Sequence, residues 1–303
     1  MENITMETTE TVNTAEAVLA DPSRRNVFAQ AFGGAVIAAA GLGLAKAARA
    51  QSVTDADILN FALNLEYLEG EFYTLATTGK TLDQIGIGIS GVGTQGSVVV
   101  KNNPQVPFTA GSPLQQFATE LATEEQNHVK FLRSALGASA VARPQIDLLN
   151  SFNAAAAAAG IGPAFDPFAS ETNFLLGSFV FEDVGVTAYH GAAGLLTNKA
   201  YLDAAAGILA IEAYHAGSIR TRVYRAGSPA TDIAAKIAAL RASASGAADD
   251  MGVIVNGQSK ILDADQNSIV FARTTTQVLK IVTLGGANNQ GGFFPNGMNG
   301  TIK

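Results

Sequence analysis

The chain has only three histidines, and two of them close the same four-residue pattern: Glu125-Gln126-Asn127-His128 and Glu212-Ala213-Tyr214-His215. Thirteen of its 303 residues are Glu. Two such coincidences among three histidines arise by chance about half a percent of the time, a low false-positive rate for a motif. Positions i and i+3 share one face of a helix. The repeated pattern points to a fold in which two helices aim a carboxylate and an imidazole at a common interior. Two such pairs can hold two metal ions between packed helices.

Apolar periodicity supplies the helices. The first runs from about 55 to 76, capped by Thr54 or Asp55, with the stripe Ile58, Phe61, Leu65, Leu68, Phe72, Leu75 and with Glu66 and Tyr73 at its edge. The second opens at Ser112-Pro113, with Gln115 completing a capping box, and carries Phe117, Leu121, Glu125, His128, Leu132 and Leu136 on one face. The third starts at Asp166-Pro167 or Ser170 and presents Leu175, Ser178, Glu182, Gly185, Tyr189, Ala193 and Leu196. A two-residue junction, Thr197-Asn198, makes the fourth helix its antiparallel neighbour. The fourth stripe is Ile208, Glu212, His215, Ile219, Val223, ending before Gly227-Ser228-Pro229. A shorter helix follows over about 230–244, and 268–284 has room for one more. The glycine-rich stretch 79–111 reads as a long loop with a short hairpin around Val98-Val99-Val100. The connection 137–168 holds a six-alanine run with room for a short helix, and 285–303 is loop. The expected fold class is all-α: a four-helix bundle with a long glycine-rich insert after its first helix and a C-terminal extension.

Each of the four helices places a carboxylate on its inward face. Unpaired buried carboxylates are costly, and four facing one another repel. Two divalent cations balance four glutamates, with the histidines as neutral nitrogen ligands. The order along the chain is regular. Glu66 is followed seven residues on by Tyr73, then comes Glu125-x-x-His128. Glu182 is followed seven residues on by Tyr189, then comes Glu212-x-x-His215. The second half repeats the first, which predicts a pseudo-two-fold site with two bridging glutamates. Glu66 is preferred over Glu69 and Glu71 because only Glu66 has a tyrosine at i+7 on its face. Glu124 and Asp183 adjoin the set but are expected to face solvent, and a Glu71→Ala change to be silent. His190 has Thr187 at i−3 and reads as a surface or structural residue. The plainer alternatives are ordinary hydrogen-bonded Glu–His core pairs and plain core tyrosines.

Composition removes other classes. A net charge of −7 without a basic run is a poor nucleic-acid binder. The absence of Cys excludes disulfides, iron–sulfur clusters and zinc ribbons. Ser23-Arg24-Arg25-Asn26-Val27-Phe28 places a twin arginine ahead of a mildly apolar stretch, and Ala48-Arg49-Ala50 offers a cleavage site before Gln51. Residues 1–50 therefore read as a removed twin-arginine export signal, 51–245 as the bundle with its short fifth helix, and 246–303 as an extension packed on it. No permanent membrane span is expected. The expected location is periplasmic or extracellular, after export in the folded state.

With these residues in view, the chain resembles the ferritin-like superfamily, which includes ferritins, bacterioferritin, rubrerythrin and manganese catalase. Asn64-Leu65-Glu66 with Tyr73 is similar to the first-helix ligand segment of ferritins, and the two Glu-x-x-His motifs to the second and fourth helices of bacterioferritin and rubrerythrin. The run from Asp57 to Glu69 and the segment Phe293-Phe294-Pro295-Asn296-Gly297 resemble exported ferritin-like proteins related to plant desiccation-related proteins. The resemblance implies two iron or manganese ions. Glu66 and Glu182 would be terminal ligands, Glu125 and Glu212 would bridge, and His128 and His215 would each cap one ion. Tyr73 and Tyr189 would orient carboxylates by hydrogen bonding.

The function expected from this is reaction with peroxide or dioxygen, in the manner of a catalase, peroxidase or ferroxidase, with a small-molecule oxidant as partner. The alternative is a non-catalytic desiccation or stress protein with a structural or vestigial metal site. Iron storage needs a cage, which the long insert and extension oppose, although a homo-oligomer stays open.

Overall fold

The computed structural model describes residues 53–303; the export signal read at 1–50 lies outside them. Helix α1 spans Asp55–Thr78, and Thr54 and Asp57 cap its start reciprocally. α2 spans Pro113–Leu136. Ser112 caps α2 by accepting from the Gln115 N–H. The Gln115 side chain reaches past Ser112 to the Gly111 N–H at 2.6 Å, so the expected reciprocal box does not form. The six-alanine run lies largely in the short α3, Asn150–Ala158. α4 spans Glu171–Ala193 with Ser170 as its cap, and α5 spans Lys199–Ala226. The junction between them is Gly194–Asn198, longer than the two residues expected, because α4 stops short of Leu196. α6 spans Ala230–Ser245, and the later helix is confined to α7, Thr275–Val282.

The relative directions of the long helices follow from their side-chain pairs. Tyr67 meets Arg133 and Thr74 meets Gln126, so α1 and α2 are antiparallel. Tyr73 meets Glu182 and Glu66 meets Tyr189, so α1 and α4 are antiparallel too. Arg220 of α5 pairs with Asp183 of α4, and the Arg222 guanidinium of α5 lies 3.8 Å above the Phe117 ring near the start of α2. The bundle is therefore up, down, down, up. The passage from α2 to α4 must cross its full length, which explains the long connection 137–170 with α3 on it.

The expected hairpin at Val98 is not formed. Val98–Val99 (β1) instead pairs in parallel with Ile146–Asp147 (β2), so the insert runs beside the crossover rather than folding on itself. Two glycines permit this: a Cβ on Gly91 or Gly96 would lie 2.1 Å from backbone atoms of Ala140 or Gln145. A second small pair, Ile254–Val255 (β3) with Gln258–Ser259 (β4), is an antiparallel hairpin in the C-terminal extension.

The insert and the extension cover helix faces that a bare bundle would expose to water. Eighteen of the 24 residues of α1 are buried, far more than one stripe. Asn299 of the extension bonds to both Thr94 of the insert and Asn64 of α1. Phe293 joins Phe152 and Phe181 at ring-centroid distances of 5.1 and 5.0 Å. Arg273, fully buried, pairs with Asp249 and Asp250 and bonds to Thr187 of α4. No helix among the described residues is long and apolar enough to cross a membrane.

Candidate metal centre

Four helices bring six predicted residues to one place. Glu66 comes from α1, Glu125 and His128 from α2, Glu182 from α4, and Glu212 and His215 from α5. All four glutamates are completely buried and the imidazoles nearly so. Glu66, Glu125, His128 and Glu212 offer one group of ligand atoms within 4.8 Å of one another, and Glu125, Glu182, Glu212 and His215 offer a second. Glu125 and Glu212 belong to both groups, and the imidazole centroids lie 6.5 Å apart across the site.

Both imidazoles turn Nδ1 inward. His128 Nδ1 lies 3.2 Å from Glu66 Oε2 and 3.2 Å from Glu125 Oε2. His215 Nδ1 lies 3.1 Å from Glu125 Oε1 and 3.3 Å from Glu182 Oε2. The expectation of two oriented carboxylates takes a crossed form. Tyr73 of α1 donates to Glu182 of α4, and Tyr189 of α4 donates to Glu66 of α1. The i+7 spacing that favoured Glu66 thus reflects a partner on the facing helix rather than Tyr73 itself.

The inner atoms lack hydrogen bonds. Glu66 Oε2, Glu125 Oε1, Glu182 Oε2, both carboxylate oxygens of Glu212, and His215 Nδ1 are buried without a hydrogen-bond partner. A buried polar atom without a partner costs about 1–3 kcal/mol, and more when charged. These orphans all belong to the two donor groups, so the residues present fit metal ions that accept mixed carboxylate–imidazole donors.

Without cations the protons redistribute. Burial raises the Glu66 carboxyl to about 7, against the pull of the His128 charge. Burial also raises Glu182, and lifts Glu212 well above its ordinary range together with the charges of Glu125 and Glu69. At Glu125 burial is outweighed by the hydrogen bond from His128 and by the charges of both histidines, and the carboxyl falls below its usual range. Burial opposes charge on the imidazoles, yet Glu66 and Glu125 hold His128 up to about 11, and Glu182 and Glu125 hold His215 up to about 12. Burial and the adjacent carboxylates push both tyrosine hydroxyls well above their ordinary range, so they remain donors.

Four acidic residues differ from the sequence expectation. Glu124 is not simply solvated: its Oε2 lies 2.6 Å from His215 Nε2, because α5 packs across the flank of α2. Asp183 is buried between Arg220 and Arg241, each at 2.8 Å. Glu71 is completely buried and paired with Arg143, so Glu71→Ala is not a silent control. Glu69 is buried beside the metal-type cluster, with Oε1 close to Gly185. None had a sequence signal, because each partner lies at least 37 residues away in the chain or depends on cover from another element. His190 stays outside the cluster, its Nδ1 3.2 Å from the Phe271 carbonyl oxygen.

A sequence model described as "Ferritin-like domain" matches residues 54–225, the span that holds all six candidate ligands. The chain is 30% identical over 247 residues to the desiccation-related protein PCC13-62 of Craterostigma plantagineum, covering 75% of this chain and 76% of that protein. It is 30% identical over 270 residues to the ferritin-like catalase Nec2 of Nesocodon mauritianus, covering 82% of this chain and 84% of that protein. No solved structure matches significantly.

Proposed function

The chain belongs to the ferritin-like domain family, and from that premise we propose that it is a dinuclear iron or manganese protein that turns over peroxide, with dioxygen or ferrous-iron oxidation as related activities of the same site. The observation that carries this reading is the pair of donor groups sharing Glu125 and Glu212, with their inward atoms left without hydrogen bonds. In this reading Glu66 with His128 and Glu182 with His215 would each help hold one ion, and Glu125 and Glu212, which belong to both donor groups, would be shared between them.

Bound iron or manganese supplies Lewis acidity and reversible electron transfer toward peroxide. The chain's own residues supply the rest. Tyr73 and Tyr189 fix the carboxylates of Glu182 and Glu66 by donating to them. Glu124 accepts from His215 Nε2, which fixes the tautomer that leaves Nδ1 free to ligate. Peroxide is the favoured substrate class because two molecules can serve as oxidant and reductant, giving two waters and one dioxygen with no outside electron donor. The similarity to a protein named a ferritin-like catalase supports the same choice. Export in the folded state, read from Arg24 and Arg25, would let the metal be loaded before export; it is part of this proposal.

The similarity to a desiccation-related protein favours a second reading, a stress protein whose bundle is stabilised by metal without turnover. Elemental analysis and steady-state peroxide consumption separate these readings, using wild-type protein and Glu212→Ala. About two iron or manganese ions per chain, lost in the variant, with peroxide consumption well above that of the free metal, is the expected result. Two ions with no excess turnover would leave the structural reading. No metal in either protein would remove the enzyme reading and leave the stress-protein reading with a vestigial site.

A further inference from the structure

A cavity of about 250 Å³ opens between α3, α6 and the segment after α7 and ends against the metal-type cluster. Its outer rim includes the exposed residues Ala158, Ser243 and Gly285. Its walls are mostly apolar, with Ser243 at the rim and Arg241, held by Asp183 and Asp250, as the other polar residues besides Glu69. Four phenylalanines stand around it: Phe152, Phe165, Phe181 and Phe293. These rings already pack against one another at 5.0–6.1 Å, edge-on or tilted. Such edges and faces accept one more aromatic ring at the same spacing. Cavities of about 150 Å³ lined by apolar side chains take up benzene, so this one has room for a ring with a short substituent.

The inner end differs in character. There the lining includes Glu69, which is about 5% exposed, and Gly185. No hydrogen bond from another described residue reaches the Glu69 carboxyl, unlike those of Glu66 and Glu182. A Cβ on Gly185 would lie 2.5 Å from Glu212 Oε2 and 3.4 Å from Glu69 Oε1. The glycine therefore leaves no side chain between the end of the cavity and the Glu212 carboxylate. The Glu69 oxygens are not among the sealed, partnerless atoms of the cluster, so a ligand in the passage can reach them. A hydrogen bond there offsets the poor solvation of a carboxyl at the end of an apolar passage.

We propose that this cavity is a binding site for a neutral aromatic alcohol, with its ring among the four phenylalanines and its hydroxyl on Glu69, beside the Glu212 end of the metal centre. The hydroxyl can both donate to and accept from a carboxyl, and the ring replaces water along the apolar walls. The site stands whether or not the metal centre turns over, because it is formed by the cavity and Glu69 alone.

Calorimetric titration of the full-length protein with phenylmethanol tests this, before and after treatment with a chelator. Saturable binding is expected, about tenfold weaker for toluene, which lacks the hydroxyl, and about tenfold weaker for Glu69→Leu. Ala155→Phe, on a half-buried wall position, should abolish binding while elemental analysis finds its metal content unchanged. No saturable binding to wild-type protein overturns the proposal, as does binding that Ala155→Phe leaves intact. Toluene binding as tight as phenylmethanol overturns the role of Glu69. Because metal content is read separately, a failed titration is distinguishable from a failed metal centre.

Discussion

His215 Nε2 lies 2.6 Å from Glu124 Oε2, and the other half of the site has no equivalent contact. Glu124 precedes Glu125, whereas the residue preceding Glu212 is the half-buried Ile211. The pseudo-two-fold arrangement of the six donors is thus broken outside them. A carboxylate behind a ligating imidazole raises its basicity and fixes its orientation, and loss of such a partner typically costs ten- to a hundredfold in metal affinity. Glu124→Gln should therefore weaken one of two bound ions by about that factor and leave the other near its wild-type affinity. Competition with a chromophoric chelator reads both steps; two ions weakened equally, or neither, would contradict the assignment.

Gly185 marks how closely α4 approaches the site. Gly185→Ala places a methyl 2.5 Å from Glu212 Oε2. That carboxylate must move, and with it a group common to both donor sets. The expected outcome is loss of at least one ion per chain with an unchanged far-ultraviolet dichroism spectrum. Full metal content in this variant would show that Glu212 does not bridge.

Glu71 and Arg143 are a buried ion pair on the side of α1 covered by the insert. Asp83 also reaches Arg143, at 2.8 Å, from the more exposed 3-10 turn Asp83–Ile85. Glu71→Ala removes the fully buried partner and leaves a buried guanidinium poorly compensated, a change that typically costs 3–5 kcal/mol. A lowered denaturation midpoint with undiminished metal content is expected. A midpoint within error of the wild type would mean that Asp83 alone balances the charge.

Asp263 supplies a pH dependence in the extension. Burial raises its carboxyl to about 7, helped by the charge of Asp183 and opposed by Arg220. The folded chain then keeps a proton that the unfolded chain releases between about pH 4 and 7. Stability from this group is therefore greatest below that window, falls as pH rises through it, and is flat above. Asp263→Asn should match the wild type at pH 4 and exceed it at pH 8, by up to ~4 kcal/mol at about 1.4 kcal/mol per pKa unit. Thermal denaturation of both proteins at the two pH values checks the sign, and an equal offset at both would refute it.

The Glu-x-x-His repeats, the stripes of three- and four-residue spacing and the caps at Thr54, Ser112 and Ser170 depend on local geometry. They were therefore legible in the sequence, as were the four long helices and the six residues now found together. A helix face is set by neighbours three and four residues apart, so the sequence alone determines which side chains share it. It does not determine what covers the opposite face. Glu69, Glu71, Glu124 and Asp183 all lie off the predicted stripes, and only the tertiary structure decided their surroundings. The insert folds against the crossover instead of forming a hairpin, and the extension buries Arg273 against α4. These contacts join segments tens to hundreds of residues apart. Whether a charged side chain off the stripe meets water, a guanidinium or the end of a cavity is a property of packing, and local spacing carries no record of it.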